Sequence, residues 1–134
     1  MIVLFSCLLG VTPPSPGSAA EKPSPFAAEG EQWKYVTSND KGERFYYDPA
    51  SMTFPRKDVV SGWVKIISGD ATVTKALEEV NCSYKIIRDA RTIVVKPHGP
   101  QQMKNSPSEW RAVERDTPST DLYKIFCKGS RSFR

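Results

Sequence analysis

The sequence predicts one small α+β domain, an antiparallel β-sheet of about five to six strands with a C-terminal helix packed on it and disulfide-linked to it. Three observations predict this fold. Residues 33–96 contain successive segments rich in aromatic and β-branched residues, which favour strands. Thr117-Pro118 opens a segment with the apolar spacing of a helix. Cys82 lies in the strand region and Cys127 in the helical segment, so a bond between them would join the two.

Six strands are expected along residues 33–96, at 33–38, 44–48, 53–55, 59–67, 76–88 and 92–96. The first two form a hairpin through a turn at 39–42. The fourth is apolar on both faces, which predicts a central strand, and Gly62 within it marks a bulge or a close backbone contact. The first half of 76–88 also has the composition of a helix. Residues 89–90 are predicted to be a turn.

The chain after the strands is predicted to be an irregular loop at 97–109, because it contains several prolines, and then a helix. The helix is expected to begin at Pro118, with the Thr117 hydroxyl as its cap, and to stop at Gly129. Its apolar face carries three residues at helical spacing, Leu122, Ile125 and Phe126.

The first twenty residues carry no charged side chain. An apolar run over residues 1–11 is followed by prolines and then by Ser18-Ala19-Ala20, the small residues that a signal peptidase requires. Residues 1–20 are therefore predicted to be a secretory signal peptide, with a disordered apolar tail as the alternative. The apolar run is too short to span a bilayer.

Leu4-Phe5-Ser6-Cys7 fits the pattern at which bacterial lipoproteins are cleaved and acylated on cysteine. This pattern offers a second interpretation, in which Cys7 is a lipidation site and the protein is attached to a membrane. It requires translation to begin upstream, since a leader of six residues is too short. Otherwise Cys7 is an ordinary residue of the leader, and membrane attachment is not expected.

The remaining chain divides into three parts. Residues 21–31 contain two prolines and little pattern, as in a linker, residues 32–129 form the folded domain, and residues 130–134 form a basic tail. The 134-residue chain has room for one domain, which at this size is only marginally stable without further stabilisation.

The chain has three cysteines, and Cys82 and Cys127 remain once the leader is removed. Two cysteines in an oxidising compartment are expected to pair. In the chain-entropy model, closing a loop of about 46 residues stabilises a protein by roughly 4 kcal/mol. The alternative is a pair of buried free thiols.

An ordered set of residues extends through the domain: Trp33, Tyr46-Tyr47-Asp48, Trp63-Val64-Lys65, Cys82 followed by Tyr84, Glu109-Trp110, and Cys127. In this order they resemble the surface-adhesin protein E-like family over residues 33–128. The resemblance implies a small antiparallel sheet with a helix packed against it and held by a disulfide. It also implies an exported bacterial protein, often attached to the outer membrane. The family takes its name from an adhesin that binds host extracellular-matrix proteins such as vitronectin and laminin, but no host-binding segment matches here residue by residue.

Catalysis has little support in the sequence. The single histidine, His98, lies in the proline-containing loop, and the patterns of a nucleophile elbow and a phosphate-binding loop are absent. One histidine and two paired cysteines do not make a metal site, so neither a metal nor a cofactor is expected. Glu78 and Glu79 are adjacent, which on a strand directs them to opposite faces, and they are interpreted as a solvated pair. The sequence therefore predicts a protein that is not an enzyme.

Binding has better candidates. Aromatic residues crowd the first strands, where some must face the core and others remain for a partner. Basic residues gather around residues 85–96 and in the tail, where Arg131 and Arg134 lie. The net charge of +4 is too small to indicate a nucleic-acid-binding protein. The candidate binding surface consists of Tyr35, Tyr46, Lys85, Arg88, Arg91 and Lys96; its alternative is a solvated charged rim.

These observations favour a non-enzymatic exported binding or adhesion module of the bacterial envelope, in the periplasm or at the outer membrane or cell surface. Its partner would be a protein or an envelope polyanion, with a homodimer through an exposed strand edge left open. The alternative is a periplasmic or envelope structural protein that binds a small ligand or an envelope component and is no host adhesin.

Overall fold

The computed structural model describes residues 32–130. The predicted signal peptide with Cys7, the linker, and the tail residues Arg131 and Arg134 lie outside the described residues. Within residues 32–130, no helix is both long enough and apolar enough to cross a membrane.

Eight strands and one helix follow one another along the described chain. The strands are β1 (Lys34–Ser38), β2 (Arg44–Tyr47), β3 (Thr53–Arg56), β4 (Val59–Ile67), β5 (Val73–Asn81), β6 (Ile86–Val95), β7 (Gln102–Lys104) and β8 (Arg111–Ala112), and the helix is α1 (Pro118–Ser130).

All strand pairs are antiparallel and belong to one sheet, in the order β1-β2-β4-β5-β6-β7. β3 also pairs with β4, and β8 also pairs with β6. β4 and β5 pair over their full nine-residue length, which makes them the central strands. The predicted fold class and the central position of 59–67 are confirmed.

Hydrogen bonds of Asp48 and Ser51 hold the turn after β2 against β4. Asp48 is fully buried and its carboxylate accepts a hydrogen bond from the backbone N–H of Ala50, capping a short 3-10 turn, Pro49–Ser51. The hydroxyl of Ser51 donates to the carbonyl of Asp48 and accepts from the backbone N–H of Trp63 at 2.9 Å. The turn that follows β2 is therefore bonded directly to the central strand.

One face of the sheet packs against α1, and this face is called the helix face. Its core consists of Val60, Val64, Val80, Ile87, Leu122, Phe126 and Cys127, all buried. Because side chains alternate along a strand, the register of β4 and β5 places the even-numbered residues of both strands on this face. The apolar face predicted for the helix is confirmed: Leu122 and Phe126 are buried, and Ile125 packs against the core.

Gly62 lets the helix approach the sheet closely. A Cβ atom at Gly62 would lie 3.1 Å from Cγ of Met52 and 3.2 Å from Cζ of Phe126. The β4–β5 register runs through this position without a shift. Of the two roles predicted for Gly62, the structure shows the close contact and not the bulge.

The segment predicted as a strand at 76–88 is two strands. β5 ends at Asn81, whose side-chain oxygen accepts hydrogen bonds from the backbone N–H groups of Ser83 and Tyr84 and so closes a turn. The alternation of apolar residues continues through this turn, so the sequence pattern did not predict that the strand ends at Asn81. Residues 89–90, predicted as a turn, lie inside β6 at a register shift opposite Leu77 and Glu78.

Two further boundaries differ from the prediction. The 97–109 loop contains the short strand β7, which pairs with β6 through backbone bonds that composition does not reveal. The helix begins at Pro118 as predicted but continues through Gly129 to Ser130. The hydroxyl of Thr117, predicted as its cap, donates to the carbonyl of Glu114.

A disulfide between Cys82 and Cys127 joins the helix to the turn that follows β5. Beside it, the hydroxyl of Tyr123 donates to the carbonyl of Cys82 at 3.1 Å. The covalent link predicted between helix and sheet is confirmed, although Cys82 lies just beyond the strand and not within it.

Reduction of this disulfide is expected to lower the free energy of unfolding by roughly 2–4 kcal/mol, because the unfolded chain regains the freedom of a 45-residue separation. Urea unfolding of the purified protein with and without a phosphine reductant measures the change. A double variant, Cys82→Ala with Cys127→Ala, should be less stable than the wild type and insensitive to the reductant. An unchanged midpoint for the reduced wild type would contradict the prediction.

Gly62→Ala should destabilise the protein by about 1–3 kcal/mol, because the added methyl group displaces Met52 and Phe126 from their packing. Gly69→Ala is the matched control, since nothing lies within 4 Å of the Cβ atom it adds. Thermal unfolding of the two variants distinguishes close packing at Gly62 from a general intolerance of alanine.

Candidate functional site

The face of the sheet opposite the helix carries cations and aromatic rings side by side. It is called the cationic face. Strands β4, β5 and β6 present four cationic side chains on it and one acidic side chain, Glu79. Its principal members are Trp33, Tyr35, Tyr46, Trp63, Lys65, Lys75, Arg88 and Arg91.

Trp33 lies between two lysines at one end of the cationic face. The ammonium groups of Lys65 and Lys75 are 4.8 and 4.9 Å from its ring centre, and that of Lys65 is 5.3 Å from the ring of Tyr46. Burial lowers the pKa of Lys65. Tyr35 extends the cluster outward, with its ring 5.7 Å from that of Tyr46 in an edge-to-face arrangement. Stacked in this way, the aromatic rings stabilise and orient neighbouring positive charge.

Arginines occupy the rest of the cationic face. Arg88 donates to the Glu79 carboxylate at 2.8 Å, and Arg56 donates to the same oxygen at 3.1 Å. Burial would raise the pKa of Glu79, but the hydrogen bonds and charges of the two arginines outweigh it, and the pKa is lowered. The guanidinium of Arg88 also lies 4.5 Å from the ring of Trp110. One carboxylate thus holds two guanidinium groups in place.

The structure brings together four of the six predicted binding residues, Tyr35, Tyr46, Arg88 and Arg91, on the cationic face. Arg91 lies 5.9 Å from the ring of Trp63. Two residues lie elsewhere. Lys85 is in the turn after β5, with its ammonium 6.0 Å from the ring of Tyr123 on α1, and Lys96 follows the end of β6.

Lys65, Lys75 and Trp33 complete the cationic face but were not predicted as binding residues. Alternation along 59–67 would have placed Trp63 and Lys65 on one face. Which strands pair, and in which register, follows only from the fold, so the approach of both lysines to Trp33 could not be read from the sequence.

The helix face also has an opening, a cleft of about 370 Å³ between the first turn of α1 and strands β4 to β6. Apolar side chains form much of it, with Phe45, Val64, Ala76 and Leu122 buried. Glu78 is the one ionisable residue among the buried residues that line it. The cleft is thus an apolar recess with a carboxyl group in its floor.

Glu78 faces Asp89 across the β5–β6 pair. Burial raises the pKa of Glu78 well above its usual range, and a shared hydrogen bond with Asp89 and the charge of Asp89 raise it further, while Arg111 opposes them. The guanidinium of Arg111 is 3.5 Å from the Asp89 carboxylate. Burial and the neighbouring acid thus both favour the protonated form of Glu78.

Glu78 and Glu79 lie on opposite faces of the sheet, as predicted, but they are not a solvated pair. Both are buried, one in the cleft and the other between two arginines. The predicted solvation is wrong because β5 is a central strand, covered on both faces. His98 lies exposed in the loop after β6, and the described part of the chain has no cluster of three or more potential metal-ligating acids, histidines or cysteines.

The architecture has a counterpart among solved structures. The crystal form II structure of Haemophilus influenzae protein E superposes with a TM-score of 0.55, covering 72% of this chain and 87% of that chain, at 13% sequence identity. This chain has a protein E-like fold. The resemblance expected from the ordered aromatic, acidic and cysteine residues is thereby confirmed at the level of the fold. No family model matches the sequence, and no curated protein matches it.

The neighbouring residues Glu78 and Glu79 should give the protein opposite pH dependences. The pKa of Glu78 is raised in the folded protein, so the folded protein binds a proton that the unfolded chain has released. The free energy of unfolding therefore decreases as the pH rises above the usual pKa of glutamate. The pKa of Glu79 is lowered, so this residue stabilises the fold at pH values above the usual pKa of glutamate, and the stabilisation is lost as the pH falls through the lowered pKa.

Glu78→Gln should therefore gain stability over the wild type as the pH is raised from about 4 to about 8. Glu79→Gln should lose stability at neutral pH and approach the wild type in acid. Urea unfolding across this pH range, with each variant as the control for the other, measures both slopes. Parallel pH profiles for the two variants would contradict the assignment.

Proposed function

We propose that the protein is a non-enzymatic, exported binding module of the bacterial envelope, which docks an acidic partner surface on its cationic face. The observation that carries the proposal is the group formed by Trp33, Lys65 and Lys75, in which two ammonium groups lie 4.8 and 4.9 Å from the centre of one indole ring. The partner is an acidic protein surface or an envelope polyanion.

The charge and chemistry of the cationic face support this assignment. Three cationic side chains on β4 to β6, those of Lys65, Arg88 and Arg91, are at least partly exposed, while Lys75 and Glu79 are buried beneath them. These three cations give a positive field over a surface that is rigid because it is built on strands. Aromatic rings supply apolar contact area with little loss of conformational entropy. Tyr35, exposed by 58%, presents such a ring to solvent.

Export is supported by two features. Disulfides such as Cys82–Cys127 persist in oxidising compartments and are rare in the cytosol. The protein E-like fold also occurs in a bacterial protein. Both agree with the signal peptide expected over residues 1–20.

Lys65→Gln combined with Arg91→Gln should weaken binding to immobilised heparin, used as a polyanion probe, by on the order of tenfold, since each cation near an anionic surface contributes about 1 kcal/mol. The same variant should elute at lower salt. Lys124→Gln with Lys128→Gln removes the same charge from two exposed residues of α1 and is the matched control. An acidic protein probe tested in parallel separates a polyanion from a protein partner.

Equal weakening by the two double variants would mean that net charge alone drives the binding, and the cationic face would then not be the site. Binding that persists unchanged at high salt would also argue against the proposal, because charges at a solvated surface are screened within about 8–10 Å.

A second function, the binding of a small ligand, is favoured by a separate observation on the other side of the sheet. The cleft beside α1 contains a buried carboxyl group, Glu78, in an apolar recess of a size typical of ligand pockets.

A further inference from the structure

We propose that the cleft beside α1 binds a small amphipathic amine, whose ammonium group meets the carboxyl groups of Glu78 and Asp89 and whose apolar part packs against Phe45, Ala76 and Leu122. The inference rests on the second function, small-ligand binding, and is independent of the cationic face. It names the chemistry of the ligand and the residues that select it.

An unpartnered buried oxygen points to a missing donor. Glu78 is only 5% exposed and lines the cleft, and its Oε1 atom has no hydrogen-bond partner in the described part of the chain. A buried acceptor without a partner costs roughly 1–3 kcal/mol, and native structures contain few of them. An N–H group of a bound ligand would satisfy this oxygen.

Glu78 and Asp89 are direct cross-strand partners on one face of the sheet, so ionisation of both acids would place like charges side by side. Arg111 lies 3.5 Å from Asp89, but its side chain is about half exposed, at 49%, and it offsets this repulsion only in part. Two facing acids in a cleft, one of them with a raised pKa, are a feature found at many functional sites.

A bound cation would offset the negative charge of the two facing acids. The charged groups that line the cleft are Asp89 on β6, Arg111 on β8, and Glu114 in the segment before α1, while β4 and the first turn of α1 contribute none. Burial and Asp89 raise the pKa of Glu78 in the empty cleft. A bound ammonium group favours the carboxylate form of Glu78, so a proton that Glu78 carries passes to solvent and the carboxylate pairs with the ligand.

The lining favours an organic cation over a metal ion. Calcium takes six to eight oxygen ligands. Two carboxyl groups converge on the floor here, and no group of three potential metal ligands occurs in residues 32–130. The surrounding walls are apolar side chains, which would stabilise a short alkyl or ring substituent by burying it. An inorganic cation gains nothing from such walls.

Binding of n-hexylammonium to the full mature protein tests the proposal, with 1-hexanol as the uncharged isostere. Two-dimensional amide NMR should show saturable shifts at residues 76–78, 89 and 119–122. Hexylammonium should bind at least about tenfold more tightly than hexanol, corresponding to about 1.4 kcal/mol. Calorimetry in buffers of different ionisation enthalpy should show proton release on binding at pH values below the raised pKa of Glu78.

Three variants test whether the binding of hexylammonium depends on Glu78 and on the apolar floor of the cleft. Glu78→Gln keeps the shape of the side chain and should reduce hexylammonium affinity about tenfold while abolishing proton release. Glu109→Gln removes an exposed carboxyl outside the cleft and should leave the affinity within about twofold, because exposed charges contribute little. Ala76→Leu should block both ligands by filling the floor, with folding checked by thermal unfolding.

Equal affinities for the amine and the alcohol, amine binding that Glu78→Gln leaves unchanged, or amide shifts confined to the cationic face would overturn the proposal. Failure of this test leaves the heparin experiment untouched, since Lys65→Gln with Arg91→Gln alters the opposite face of the sheet. Conversely, that variant should bind hexylammonium as the wild type does.

Discussion

The attachment of one helix to one face of the sheet is the constraint on which the rest of the structure depends. Phe126 packs into the space left by Gly62, and the Cys82–Cys127 bond ties the same part of the helix to the turn after β5. Hydrophobic burial and a covalent link thus act at adjacent positions of the helix. A domain of about a hundred residues is only marginally stable, and these two interactions together determine which face of the sheet is the core.

The two remaining surfaces follow from that attachment. The face without a helix must be covered by its own side chains, and long aromatic and cationic residues do this by stacking, as Trp33 does between Lys65 and Lys75. On the helix face, α1 begins at Pro118 and leaves β5 and β6 uncovered beside its first turn. A cationic surface and an acidic cleft therefore lie on opposite sides of one thin sheet.

The central strand β5 connects these surfaces. Its adjacent residues Glu78 and Glu79 project to opposite faces, and their pKa values are displaced in opposite directions. Two arginines surround one carboxylate, while the other meets a second acid in an apolar recess. Two glutamates of one strand therefore have pKa values displaced in opposite directions, that of Glu79 downward and that of Glu78 upward. The difference comes from their surroundings, since the residue type is the same.

The sequence by itself determined the fold class, the helix start at Pro118, the central strand at 59–67 and the pairing of Cys82 with Cys127, because proline placement, hydrophobic pattern and cysteine number are local or compositional signals. It did not reveal the turn at Asn81 or the short strand β7, where alternation and composition pointed elsewhere. Only the tertiary structure decided that Lys75 approaches Trp33 and that Glu78 faces Asp89. The first contact depends on which strands pair, and the second on the register shift in the β5–β6 pair; both are set by the packing of the whole sheet.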